Sequence, residues 1–173
     1  MVKDIFSIQK NEDEYCDCCG KKIVCPKPPP KPCPAKPTKL SGLQMQLVQA
    51  ADLVTEDGAN VLFNMVISQP SPDISYDSMT GEFLLPAGKN YYISWWVVTN
   101  GTETVSSVEF TVVVDEIFIA VGASPLVTGQ LSGSALITGK AGISVLSLRN
   151  TSNDRIRYAK TSVQAGLVIV EMI

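Results

Sequence analysis

From residue 41 onward, the sequence alternates short runs of β-branched and aromatic residues with turn-forming dipeptides. No window keeps the 3.6-residue period of an amphipathic helix over the ~10 residues that would indicate one. About ten short strands in some 130 residues therefore predict an all-β fold, an antiparallel sandwich or barrel. The predicted strands lie near residues 43–49, 60–67, 73–76, 82–85, 91–98, 105–114, 117–121, 134–138, 143–149 and 165–172.

The strongest turn signal is Asn100-Gly101, because both residue types tolerate positive φ, and it predicts a hairpin. The run before it, 91–98, is apolar on both faces, with one tryptophan on each. A sandwich buries only one face of each sheet. A strand that is apolar on both faces therefore predicts a second cover, and another copy of the chain is the simplest one. The alternative is a chain that simply exposes some apolar residues.

The first 40 residues have a different composition. Seven of the eleven prolines lie between residues 26 and 37, and eight lysines face five acidic residues, a net charge of +3. Residues 41–173 carry six basic and twelve acidic residues, a net charge of −6. The sequence thus predicts an N-terminal connector arm at 1–40 and a head at 41–173.

Proline alternates with lysine between residues 26 and 39. Proline has no N–H and restricts its predecessor, so this segment forms neither a helix nor a central strand. It predicts an extended polyproline II spacer. The alternatives are a disordered leader and a ligand of a proline-binding domain.

All five cysteines lie in the arm, and their odd number leaves at least one without a partner in its own chain. Three interpretations stay open: interchain disulfides, a zinc site built from thiolates, or free reduced thiols. The spacing lacks the paired C-x2-C knuckles of zinc sites, so cross-linking is favoured and no metal or cofactor is predicted. The cross-link candidates are Cys16, Cys18, Cys19, Cys25 and Cys33.

A small apolar group, Ile5, Phe6 and Ile8, lies near the N-terminus. Forty residues at ~3.3 Å each extend over roughly 130 Å, beyond the height of a ~130-residue domain. These residues are therefore candidates for docking into a neighbouring copy, although a terminus with a few apolar residues is the plain alternative. Repeated head-to-tail contacts without closure produce a filament.

The composition argues against several function classes. Histidine is absent, which excludes Ser-His-Asp and Cys-His catalysis, and no nucleophile–base pair is evident, so no catalytic residue and no enzyme are predicted. A net charge of −3 disfavours nucleic-acid binding. No apolar run reaches the ~20 residues of a membrane span, and residues 1–10 lack the apolar core of a secretory signal. Scattered acidic residues such as Glu109, Asp115 and Glu116 are interpreted as solvated surface.

Residues 80–96, TGEFLLPAGKNYYISWW, resemble the central strands of the complement-q and tumour-necrosis-factor jelly-roll heads. Residues 128–150 and 165–173 resemble the last strands of that family, and the chain also resembles the exosporium filament heads of spore-forming bacteria. The resemblance implies a homotrimeric jelly roll whose aromatic strands line the three-fold interface. The implied interface residues are Tyr91, Tyr92, Trp95 and Trp96.

The chain departs from those filament heads because it has the Cys/Pro arm where they carry a collagen-like stalk. This arrangement is similar to endospore appendage subunits, which use N-terminal connectors. The resemblance therefore implies a spore-surface fibre subunit that is made in the mother-cell cytosol and assembles with itself. The alternative is a trimeric binding head tethered by its arm to an anchoring exosporium protein.

Overall fold

The computed structural model describes the backbone of residues 16–18 and 21–23, and describes residues 40–49 and 54–172 in full. Contacts divide the chain into two compact units, residues 1–38 and 39–173. In the first unit, β1 (Cys16–Cys18) pairs antiparallel with β2 (Lys21–Ile23). The docking candidates Ile5, Phe6 and Ile8 lie outside the described residues, as do Cys19, Cys25 and Cys33, so docking and cross-linking stay predictions.

The second unit consists of twelve strands and, within the described residues, no helix. Its sheets are antiparallel throughout, which confirms the predicted all-β antiparallel class. The strands are β3 (Gly42–Val48), β4 (Val54–Thr55), β5 (Met65–Ser68), β6 (Ser75–Asp77), β7 (Glu82–Leu85), β8 (Asn90–Thr102), β9 (Val108–Val114), β10 (Ile117–Ser124), β11 (Thr128–Ile137), β12 (Ser144–Asn150), β13 (Ile156–Tyr158) and β14 (Val163–Met172).

These strands form a five-stranded sheet, ordered β10-β9-β12-β7-β6, and a seven-stranded sheet built around β8. One side of β8 pairs with β11. Its other side pairs first with β14, along Asn90 to Val97, and then with β13 near Thr102. The Ala159 N–H donates to the Val98 carbonyl at 3.0 Å, where the two partners change over. Beyond β14, the order continues through β3 to the edge strand β5.

The core lies between the two sheets and follows the two-residue period of their strands. In β8, every second side chain from Tyr91 to Val97 is buried, and the side chains between them face outward. The five-stranded sheet contributes Phe83, Phe110 and Leu148, all fully buried. The rings of Trp95 and Phe110 meet across the sandwich with their centroids 6.4 Å apart.

The hairpin predicted at Asn100-Gly101 is wrong. Both residues lie inside β8, which continues to Thr102 because β11 and β13 pair with this stretch. Gly101 has a φ of +113° and donates its N–H to the Val127 carbonyl at 2.9 Å. The two-residue hairpin lies instead at Asp115 and Glu116, with φ of +50° and +63°, between β9 and β10.

The predicted run at 60–67 is also partly wrong. Only Met65–Ser68 forms a strand, while Asn60 makes an isolated bridge to Arg149 in β12. The strands β4 and β13 were not predicted, and they are two and three residues long. β4 pairs with β13, and β13 pairs with β8, so both strands depend on contacts between distant parts of the sequence.

Candidate self-association surface and adjoining groove

The two tryptophans of β8 lie on opposite faces of the seven-stranded sheet. Trp95 is 1% exposed, and a Cβ built on Gly122 or Gly133 would come within 2.6 or 2.7 Å of its ring. These glycines of β10 and β11 thus provide the space for the indole. Its Nε1 is buried and has no hydrogen-bond partner in the described part of the chain.

Of the four predicted interface residues, two are therefore core residues. Tyr91 and Trp95 are each 1% exposed between the sheets, so neither leaves a side-chain surface for another copy. Tyr92 is 39% exposed and Trp96 is half-buried, both on the outward face. Contact between this face and another copy stays a prediction.

Tyr92 and Trp96 belong to an apolar outer face of the seven-stranded sheet. Tyr92 lies opposite Leu136 of β11 on one side and Val170 of β14 on the other. Leu136 is mostly exposed, and Val168 and Val170 of β14 are half-buried. We call the set formed by Tyr92, Trp96, Leu136, Val168 and Val170 the outer apolar face.

A second apolar surface is the edge strand β10, which ends the five-stranded sheet. Ile117, Phe118, Ile119 and Val121 are all exposed, so this strand shows apolar side chains on both of its faces. Edge strands of soluble proteins are ordinarily short, charged or covered. β10 is eight residues long and carries no charged side chain.

A groove of about 370 Å³ lies beside β10. Phe118 and Val121 form its apolar wall, and they are 58% and 57% exposed. The loop at Asp57 and the loop at Asn153 form the opposite wall. Further lining residues from β9, β12 and the adjoining chain are Glu109, Thr111, Arg149, Asn150 and Thr151.

The charged side chains around this groove differ in whether they have an ion-pair partner. The Arg149 guanidinium donates to both carboxylate oxygens of Glu116, at 3.0 and 3.1 Å, and to Asn60 Oδ1 at 3.2 Å. Hydrogen bonds from Arg149 and its charge lower the pKa of Glu116. Asp57 and Glu109 have no ion pair with any described residue. The groove thus presents an already compensated cation and two carboxylates without a counter-charge.

Asn150 lies fully buried beneath the groove, and its side chain bonds to the loops that line it. Its side-chain NH₂ donates to the carbonyls of Thr55, Glu56 and Asp154 at 3.1, 3.1 and 2.9 Å. Its Oδ1 accepts from the Ser152 N–H at 3.1 Å. The amide therefore fixes the neighbouring loops against β12. This burial leaves no room for a glycan on Asn150 in the folded chain, although Asn150-Thr151-Ser152 matches the glycosylation triplet.

Acidic residues outside the groove form ion pairs and hydrogen bonds within the head. The Asp115 carboxylate lies 2.8 Å from Lys140 Nζ and accepts from the Val145 N–H at 3.1 Å, contacts that lower its pKa. Asp73 lies 3.8 Å from Lys89 Nζ.

Within the described ranges, no three cysteine, aspartate or glutamate residues are grouped so as to hold a metal ion. No helix long and apolar enough to span a bilayer occurs among these residues.

Comparison with solved structures identifies the fold as that of tumour-necrosis-factor and complement-q heads. Eiger TNF from S. frugiperda is similar with a TM-score of 0.57 at 14% identity, over 78% of this chain and 94% of that one. Murine APRIL matches with a TM-score of 0.56 at 10% identity, over 78% and 100% of the two chains.

The globular domain of zebrafish complement 1qA matches with a TM-score of 0.54 at 14% identity, over 76% of this chain and 95% of that one. The predicted jelly roll is thus confirmed at the level of the fold. No protein-family model and no curated protein matches the sequence.

Proposed function

We propose that this chain is a structural subunit of a self-assembling fibre on the surface of bacterial spores. Its head forms a homotrimer, and the N-terminal arm of one trimer docks into the next. The observation that carries this proposal is the presence of two different uncovered apolar surfaces on one head. These are the outer apolar face and the β10 edge.

Two different surfaces on one chain support a heterologous contact, in which Ile117 and Ile119 of β10 in one copy cover the outer apolar face of the next. Phe118 and Val121 of the same strand line the adjoining groove and stay outside this contact. Such contacts form a ring when the rotation closes. Closure after three copies gives the homotrimer of the family that the sequence resembles. Covering β10 in this way removes an apolar strand edge from solvent.

The arm supports the step from trimer to fibre. Three basic, cysteine-containing arms leave each trimer, and each ends in the apolar group Ile5, Phe6 and Ile8. Docking of these residues on the next trimer repeats without closure and so propagates along an axis. Disulfides that form outside the cell then lock the contacts. In this role the protein works without a cofactor and is not an enzyme.

Negative-stain electron microscopy of the full chain, purified without reductant, tests the fibre. We expect long fibres of stacked globules, and isolated globules after deletion of residues 1–10. A chain with all five cysteines replaced by serine is the matched control, because it keeps the apolar group. It should still form fibres, and these should dissociate more readily because they lack disulfides. Uniform discrete particles of the unaltered chain at every concentration would overturn the proposal.

Light scattering on the chain without residues 1–10 tests the trimer separately. Leu136→Lys places a charge on the outer apolar face, and we expect it to convert trimers to monomers. Met79→Lys is the control, because Met79 is an exposed apolar residue in a turn away from both surfaces. A Leu136→Lys protein that stays trimeric contradicts the assigned interface.

A second candidate function is a surface-binding head that an arm tethers to an exosporium protein. The groove beside β10 favours it, because Phe118 is exposed beside carboxylates that lack counter-charges. Trimers that never polymerise, but that bind to purified exosporium through residues 1–40, would support this function instead.

A further inference from the structure

We propose that the groove beside β10 binds the lysine- and proline-rich segment, residues 26–39, of a second copy of this chain. The inference rests on the proposed fibre function and names the part of the head that receives the arm. It concerns residues other than the apolar group at positions 5–8, so the two can be tested apart.

The apolar wall of the groove fits the prolines of that segment. Phe118 and Val121 are exposed side by side on β10, and Phe118 presents an aromatic ring at the rim. Proline-rich segments dock on aromatic-lined grooves because polyproline II is already extended and loses little entropy on binding. Residues 26–39 contain seven prolines and are predicted to adopt this conformation.

The charges of the groove fit the lysines. Asp57 and Glu109 line it without a counter-ion among the described residues, and Glu116 already neutralises Arg149. The segment carries lysines at positions 27, 31, 36 and 39 and no acidic residue. Two carboxylates without a counter-charge are complementary to a segment whose charged residues are all lysines, and such complementarity selects a partner.

The size of the groove is also suitable. Its volume of about 370 Å³ lies in the range of about 300–1,000 Å³ that is typical of binding clefts. One turn of polyproline II has three residues and rises about 9 Å, so a few residues fill the groove. Residues 26–39 directly precede the head, and the 15 residues from position 26 to position 41 extend over about 50 Å, which is enough to reach an adjoining head.

Binding of a fluorescent peptide to the full chain tests this directly. The peptide spans residues 26–39 with Cys33→Ser, and fluorescence anisotropy gives its Kd. We expect saturable binding to the unaltered protein and at least tenfold weaker binding to Asp57→Lys/Glu109→Lys. The control variant is Glu82→Lys, which reverses a charge on β7 outside the groove and is expected to keep the Kd. A peptide that does not bind the unaltered chain overturns the proposal.

Reversing the charges of the groove and of the arm in separate full-length proteins tests whether the arm docks on another copy. We expect Asp57→Lys/Glu109→Lys to lose fibres, and Lys27→Glu/Lys31→Glu/Lys36→Glu to lose them as well. Mixing the two proteins should restore fibres, because each arm then meets a head of opposite charge on another copy. Circular dichroism and light scattering first establish that both variants are folded trimers.

The outcomes separate this inference from the fibre proposal. Fibres that vanish on deletion of residues 1–10 but persist in Asp57→Lys/Glu109→Lys leave the fibre function intact and overturn the groove assignment. If the unaltered chain forms no fibres, the peptide measurement still decides the groove. Equal Kd values for the unaltered chain and the charge-reversed head contradict it.

Discussion

The indole of Trp96 lies against Gly166, its direct partner on the neighbouring strand β14. A Cβ built on Gly166 would come within 2.6 Å of Trp96 Nε1, which real side chains do not tolerate. The glycine therefore lets a tryptophan lie flat on the outer face of a sheet. Both β8 tryptophans use this arrangement, since Trp95 lies against Gly122 and Gly133 on the inner face.

Gly166→Ala should force Trp96 out of its present position. Overpacking of this kind typically costs about 1–3 kcal/mol of the free energy of unfolding. Urea denaturation measures the cost, and the tryptophan emission maximum reports the displaced indole. Gly142→Ala is the control, because no atom lies within 4 Å of its built Cβ, and we expect a change within about 0.5 kcal/mol. An unchanged Gly166→Ala protein would show that the indole moves freely.

Trp95 should behave as a core residue. Trp95→Ala leaves a large cavity between the sheets, and such substitutions cost about 3–5 kcal/mol. Trp95→Phe should cost clearly less, because it keeps an aromatic ring and removes an indole N–H that has no partner within the described residues. Urea denaturation monitored by circular dichroism, with both variants at the same protein concentration, compares their free energies of unfolding. Equal losses would contradict the role of ring packing.

The Asp115-Glu116 turn should depend on the side chains that hold it. Asp115→Ala removes the contacts to Lys140 and to the Val145 N–H but leaves a non-glycine residue at positive φ. We expect a loss of about 1–2 kcal/mol in the free energy of unfolding. Asp115→Asn should lose less, since asparagine tolerates this backbone conformation. A larger loss for asparagine than for alanine would argue against this explanation.

Asp154 should make the fold sensitive to acid. Its carboxylate accepts the N–H groups of Thr104 and Val105, and these hydrogen bonds lower its pKa to about 2. Because the folded pKa lies below the ordinary value of 3.8, the stabilisation is present above about pH 4 and is lost as the pH falls toward 2.

Thermal unfolding of the unaltered chain and of Asp154→Asn between pH 5 and pH 2 measures this effect. The Tm of Asp154→Asn should decline less steeply with falling pH. The slope should not vanish, because the pKa values of Asp115 and Glu116 are lowered too and act in the same direction. Parallel Tm curves for the two proteins would rule out the assigned role of Asp154.

The alternation of buried and outward-facing side chains in β8 shows how much a local sequence pattern can predict. The two-residue period predicts that Trp95 and Trp96 lie on opposite faces, and they do. It does not say which face is the core, because both faces are apolar. That choice comes from the partners of the strand, since Gly133 and Gly122 open space for Trp95 toward the other sheet.

The hairpin turns show where local patterns fail. Asn100-Gly101 has the better turn sequence, yet pairing with β11 keeps it in a strand. Asp115-Glu116 turns because β12 and its preceding loop supply Arg149 and Lys140 as counter-charges. Those residues are 25 to 33 positions away in the sequence, so a local reading does not detect them.

The groove was only partly foreseeable. Acidic Glu109 can be recognised in the sequence as a polar surface residue. Phe118 cannot be recognised as a neighbour of Glu109, because its position depends on the pairing of β10 with β9 and on the register shift after Phe118. The compensation of Arg149 by Glu116 likewise follows from that pairing.

The place where the head begins bears on its mechanical strength. β3 starts at Gly42 and is hydrogen-bonded on both sides, along β14 and along β5, so the chain leaves the arm and enters the interior of a sheet. A pull on residue 40 along the strand loads the seven register pairs with β14 in shear. Bonds loaded in shear resist together, whereas those of a peeled edge strand break in turn. We therefore expect this head to resist a pull through its first strand better than a head whose first strand lies at a sheet edge.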